Sequence, residues 1–182
     1  MNDVATLGKN IVFWHWFPEM LLEGLTPEQL RWQPDTHDAS VQFAIWHAYR
    51  AEDELLHGMV FGRPSVHASE HWADRLPVAQ TGATPFGNGL SRDGIAALAF
   101  EPHHLLAYAK AVGESVVGWL EHASEADLRA EVKLPFFTGV YPGIDTMTKL
   151  DTVAFFSLGH VAEHLGEVQF LRGLMGLRGA PL

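Results

Sequence analysis

His160 and His164 are the residues in this chain whose type and spacing point most directly to chemistry. Set at i and i+4 on a helix, they lie about 40° apart on one face, so their ring nitrogens converge as imidazole ligation of a metal ion requires. Glu167 follows, within about 20° of the direction of His160, where a carboxylate can orient a ligand imidazole. Glu163, about 60° around the helix from His160, is a second carboxylate able to orient a ligand or act as a base. A third ligand has to come from another helix. His47 is the candidate, since it sits mid-helix beside an apolar stripe, with Ala44 and Ala51 a turn away on either side to leave room for the ring. Taken singly, each of these residues also fits an ordinary role, as a core histidine bonded to a carbonyl or as a solvated glutamate. Their combination at one seam points to a metal, because buried polar groups need partners.

Other motifs compete. His160-Val161-Ala162-Glu163-His164 matches the H-x-x-E-H string of inverted zinc peptidases, in which the Glu is a general base. That family draws a further ligand from a Glu far downstream, whereas only 18 residues follow His164. Glu54-x-x-His57 and Glu101-x-x-His104 both read E-x-x-H, as in di-iron helical bundles. The first falls in a terminal turn and the second spans Pro102. His15 is a further histidine able to approach the site from the first helix, while His37, His67, His71 and His122 fall in loops or at helix ends, where a solvated imidazole suffices.

Helices must position these groups. Leu7, Ile11, Trp14, Leu21 and Leu25 form one face of a first helix with Asp3 as its cap and a bend at Pro18. Thr26-Pro27-Glu28-Gln29 is a capping box that starts a short turn. A second long helix, capped by Asp38 or Ser40, carries the stripe Val41, Ile45, Ala48, Leu55 and Met59 to a stop at Gly62-Arg63-Pro64. Residues 62–90 are rich in Gly, Pro and Ser, with one helical turn around 70–76, and read as a crossover along a bundle or a flap over a site. Ser91 caps a third helix through Leu120 that kinks or breaks at Pro102. Residues 127–143 are connection, and Thr148-x-x-Asp151 starts the last helix. Its stripe is Ala154, Leu158, Val161, Leu165 and Val168, and it ends near Gly173–Gly176. Four long helices without strand alternation predict an all-α, four-helix bundle with a long crossover between helices 2 and 3, as one domain over residues 1–182.

Composition narrows the function. A chain of 182 residues with 47% hydrophobic and 19% charged residues has the apolar content to fold as one domain. Lys and Arg number 12 against 22 Asp and Glu, and the net charge of −10 opposes nucleic acid or an anionic membrane as a partner. There is no cysteine, which rules out disulfides, thiolate ligands and a Cys nucleophile. MNDVATLGKN lacks a basic leader and no apolar run approaches the roughly 18 residues of a membrane span, so a soluble cytoplasmic protein is expected. Trp14, Trp16 and Trp46 with Phe155 and Phe156 read as core. Arg50 and Glu54 read as a surface salt bridge, and Arg172 as a cation at the C-terminal dipole of the last helix.

The order of FAIWHAYRAEDELL, a long Gly/Pro connection, AYAKAVGESVVGWL and HVAEHLGEVQFLRGLMGLRG resembles the DinB (YfiT-like) metalloenzyme superfamily over nearly the whole chain. Its most specific part is H-x-x-x-H-x-G-E followed by Leu171-Arg172-Gly173, with the remote His47. The resemblance implies a metal triad on His47, His160 and His164 and one divalent ion, usually zinc or nickel, with positions open to water or substrate. It further implies a thiol S-transferase or isomerase acting on a small molecule with a low-molecular-weight thiol such as bacillithiol, mycothiol or glutathione, and a homodimer. A metal-dependent hydrolase and a non-catalytic metal-binding stress protein are the alternatives.

Overall fold

Pro18 ends the first helix rather than bending it. In a computed structural model that describes residues 2–78, 82, 84–138 and 145–179, helix α1 spans Asn2–Trp16 and a separate short α2 spans Pro18–Leu22. Proline brings no N–H and crowds the preceding turn, so it is tolerated only in the first turn of the new helix. The side chain of Asp3 and residues 79–81, 83 and 139–143 of the two expected connections lie outside the described residues. The capping box forms as expected and opens α3 (Pro27–Arg31): Gln29 N–H donates to Thr26 Oγ1 at 3.3 Å and Thr26 N–H to Gln29 Oε1 at 2.9 Å.

Ser40, not Asp38, caps α4 (Val41–Leu55), accepting from Phe43 N–H at 3.3 Å. The helix runs on through a π-helical turn, Leu56–Phe61, and stops at Gly62 in the left-handed conformation that glycine alone adopts freely. In the crossover, the helical turn expected around 70–76 is a single tight turn at Trp72–Asp74, and an unexpected short α5 (Val66–Ser69) precedes it. Ser91 does cap a helix, but only the short α6 (Arg92–Ala96); the third bundle helix is α7 (Pro102–His122), which begins at the proline. The expected break at Pro102 is therefore complete.

After α8 (Glu125–Arg129) come two short strands, β1 (Glu131–Lys133) and β2 (Thr146–Thr148), paired antiparallel with Val132 opposite Met147. Three residues apiece are too few for an alternation to show in sequence. Thr148 then caps α9 (Lys149–Ala154), which continues through a π-helical turn, Phe155–His160, into α10 (Val161–Leu174).

Four long rods thus make the bundle: α1, α4 with its π turn, α7, and the α9–α10 run. Helix α1 packs along α7, and α4 lies between α7 and α10. Ile11, Ile45, Ala48, Val112, Val116, Val161, Leu165 and Val168 are buried at the shared seam. Truncating one such leucine or isoleucine to alanine costs about 2–5 kcal/mol.

The π turn corrects the expected stripe of the last helix. Its added residue shifts the phase of everything upstream, so Val153, Phe156 and Ser157 are buried while Ala154 and Leu158 are only partly so. Tertiary contacts revise four other readings. Trp46 and Phe156 are core, Trp14 and Phe155 are partly buried, and Trp16 is 49% exposed. Arg50 meets Glu54 at 2.6 Å, but the arginine is buried rather than at the surface. Arg172 reaches away from its own helix end, donating to the carbonyls of Leu21, Arg178 and Gly179. His15 turns into the bundle, 2.9 Å from Glu52 Oε2, in space that exists because position 113 is glycine: a Cβ there would lie 2.7 Å from the ring. No described helix is long and apolar enough to cross a membrane.

Candidate metal centre

His47, His160 and His164 meet where α4 faces α10. Each offers a ring nitrogen, and these three atoms all lie within 4.8 Å of one another. Ring centroids are 4.7 Å apart for His47 and His164, 4.6 Å for His160 and His164, and 5.6 Å for His47 and His160. Three nitrogens on one tetrahedral ion at about 2.1 Å lie about 3.4 Å from one another, so side-chain rotations that move the rings by roughly an ångström would close the trio on an ion.

The helix period brings His160 and His164 to one face, and His160 is the last residue of the π turn, at the join with α10. His47 projects from the middle of α4, 8% exposed, with Phe43 stacked on it at 5.6 Å.

Hydrogen bonds settle which nitrogens are free. The Phe86 carbonyl lies 2.6 Å from His47 Nδ1 and can only accept, so Nδ1 carries the proton and Nε2 keeps its lone pair. Glu167 Oε2 lies 2.9 Å from His164 Nδ1 and fixes that ring in the same tautomer. His160 Nδ1 is buried with no partner among the described residues, an unpaired ring nitrogen of the kind that a metal ion or an ordered water satisfies.

Burial favours the neutral form of His47 and His160, the form that metal ligation requires. It lowers His47 below the ordinary histidine value, against the Phe86 hydrogen bond, and it pushes His160 to about 3, helped by the neighbouring His164 and His47. Burial works to raise the Glu167 carboxyl, but hydrogen bonds from His164 and His37 outweigh it and hold the group below its usual range, ionised at neutral pH.

The structure therefore joins His47, His160 and His164, and sets Glu167 directly behind His164. Glu163 is exposed on the turn between the two helix histidines. His15 belongs elsewhere, bonded to Glu52 and Ile11. Two partners escape sequence reasoning. His37, read as a solvated loop residue, donates from Nε2 to Glu167 Oε1 at 2.5 Å, and its loop is held by Arg92 through the carbonyls of Gln33, Pro34 and His37. The Phe86 carbonyl comes from the long connection. It is brought in by Gly87, whose φ is +93° and whose missing Cβ would sit 2.7 Å from the Trp46 ring. The Gly-rich run 87–89 signals a turn, but nothing in it tells which carbonyl will meet a histidine.

The sequence model of one family, described as the DinB superfamily, matches residues 19–168, a span holding all three histidines. No curated protein matches the chain. Among solved structures it is similar to one described as "Crystal structure of the conserved protein of locus from Enterococcus faecalis", with 16% identity, coverage of 93% of this chain and 96% of that one, and a TM-score of 0.72. At that identity the likeness is one of fold.

Proposed function

The chain belongs to the DinB superfamily, and on that premise we propose that it is a metal-dependent enzyme using His47, His160 and His164 to hold one divalent ion, zinc or nickel. In this reading it works in the cytoplasm on a small electrophile, with a low-molecular-weight thiol as cosubstrate. The observation that carries the reading is the convergence of three imidazoles whose nitrogens lie within 4.8 Å of one another. An ion on three imidazoles supplies Lewis acidity that lowers the pKa of a thiol or water taking up its remaining positions.

The chain's own residues do the rest. The Phe86 carbonyl and the Glu167 carboxylate hold His47 and His164 with Nε2 lone pairs free, so the site needs little reorganisation. Glu163, exposed on the same helix, is the candidate to take the thiol proton. Because the 182 residues contain no cysteine, a sulfur nucleophile has to be a separate molecule.

The test is turnover of an activated aryl chloride by metal-loaded protein with glutathione, mycothiol or bacillithiol. A carbon–sulfur bond forms, chloride leaves and the thiol proton is released. Rates above background should require both thiol and metal. Turnover of an ester or amide without any thiol favours the hydrolase, and metal binding without turnover of either kind favours a non-catalytic role.

A further inference from the structure

We propose that Ser115, His57 and Asp53 form a second reactive site, a hydrogen-bonded relay that lets Ser115 Oγ take the acyl group of an activated ester.

The site lies apart from the three histidines of the metal centre. His57 is ten residues beyond His47 on the α4 rod, about 15 Å along it. His57 Nδ1 lies 2.9 Å from Asp53 Oδ1 and 2.8 Å from the Asp53 carbonyl, both acceptors, so Nδ1 carries the proton. His57 Nε2 is then an acceptor, and Ser115 Oγ, 2.8 Å away on α7, donates to it. This is the polarity that a general base needs toward a hydroxyl nucleophile.

Asp53 is held for this role from every side. Val66 N–H donates to Oδ1 and His67 N–H to Oδ2, each at 2.8 Å, and the Tyr108 hydroxyl donates to Oδ2 at 2.7 Å. Burial works to raise its carboxyl, but bonds from His57, Tyr108 and His67 hold it below the ordinary range, an anion behind the imidazole. Anchoring the start of α5 explains the Asp53 contacts by themselves. It does not explain why the far nitrogen of His57 meets a hydroxyl.

The surroundings of Ser115 suit an acyl group. Arg63 donates to Ser115 Oγ at 2.8 Å from the exposed side, a cation beside the attacking atom where negative charge would develop on the substrate oxygen. Its guanidinium lies 5.3 Å from the Phe61 ring, and Phe61 stacks on Trp119 at 4.7 Å. Both rings are partly exposed and make an apolar shelf next to the hydroxyl.

In the step itself the Oγ–carbonyl carbon bond forms and the bond to the leaving alcohol breaks. The serine proton passes to His57 Nε2 and on to the departing oxygen, and Asp53 stabilises the transient imidazolium. Water then releases the acid by the reverse sequence.

A fluorophosphonate ester tests this, because it traps such a hydroxyl by forming an oxygen–phosphorus bond with loss of fluoride and the serine proton. The protein is labelled in the presence of chelator, which keeps the outcome independent of the metal centre, and the adduct is located by peptide mass spectrometry. The expected result is one adduct on Ser115 rather than on the six other serines. It should be absent from S115A and about 100-fold slower in H57Q, with circular dichroism confirming the fold of each. Mapping of the unmodified sequence decides the matter even where H57Q does not fold. An adduct on another residue, or none under conditions that fully label a serine esterase, overturns the proposal, as does an unchanged rate in folded H57Q.

Discussion

Glu167 Oε2 stands 2.9 Å from His164 Nδ1, one turn further along the same helix. The carboxylate does for this imidazole what the Phe86 carbonyl does for His47, fixing the proton on Nδ1 and leaving the Nε2 lone pair free.

Removing that charge should therefore weaken the metal centre without dismantling it. Glu167→Gln is expected to reduce affinity for zinc about 10–100-fold, measured by competition with a chromophoric chelator. His37→Ala, which removes only the support of Glu167, should cost less than Glu167→Gln. Unchanged affinity in both variants would remove the carboxylate from the account.

Gly87 is the position where a single methyl group should disturb the site from the loop side. An alanine there meets the Trp46 ring at 2.7 Å and adopts a φ of +93° that disfavours L side chains. Gly87→Ala should lose about 1–2 kcal/mol from backbone conformation alone, more with the clash, and should bind metal more weakly as the Phe86 carbonyl moves off His47. Urea unfolding and the same chelator competition measure both. Full affinity in a destabilised variant would show that the Phe86 bond does not support ligation.

Much of this site is legible in the sequence because it rests on helix period. His160 and His164 share a face at i and i+4, and His47 stands out mid-helix between Ala44 and Ala51. The Thr26, Ser40, Ser91 and Thr148 caps announce themselves by residue type, and all four form. What period cannot reveal is long-range. The carbonyl of Phe86 and the imidazole of His37 reach the site through irregular segments whose paths are set by packing. The π turn at Phe155–His160 changes the period by a single residue, and so the row predicted through Ala154 and Leu158 slips to Phe156 and Ser157. His57 shows the same limit: an E-x-x-H pattern draws attention to Glu54, while the contact that forms is with Asp53.

Chelated protein should lose stability in acid in a way that reports on His160. Its folded-state value is lowered by burial to about 3, against about 6.5 in the unfolded chain. At pH 7 the folded state is neutral and the unfolded one mostly so, and the group has little effect. As pH falls below about 6.5 the unfolded chain takes up a proton that the folded one refuses, so stability drops by up to about 1.4 kcal/mol per pH unit until about pH 3. Urea midpoints in chelator at pH 7, 6 and 5 should fall more steeply for the natural sequence than for His160→Asn. Parallel slopes would mean that His160 accepts its proton in the folded state.

The most direct measurement is the metal content of protein purified without a histidine tag or chelating resin, by elemental analysis after equilibration with zinc or nickel. One ion per chain is predicted, with His47→Ala, His160→Ala and His164→Ala each losing most of it while His67→Ala and His122→Ala retain it. Full retention in His47→Ala, on a protein shown to be folded, would contradict a site shared between α4 and α10.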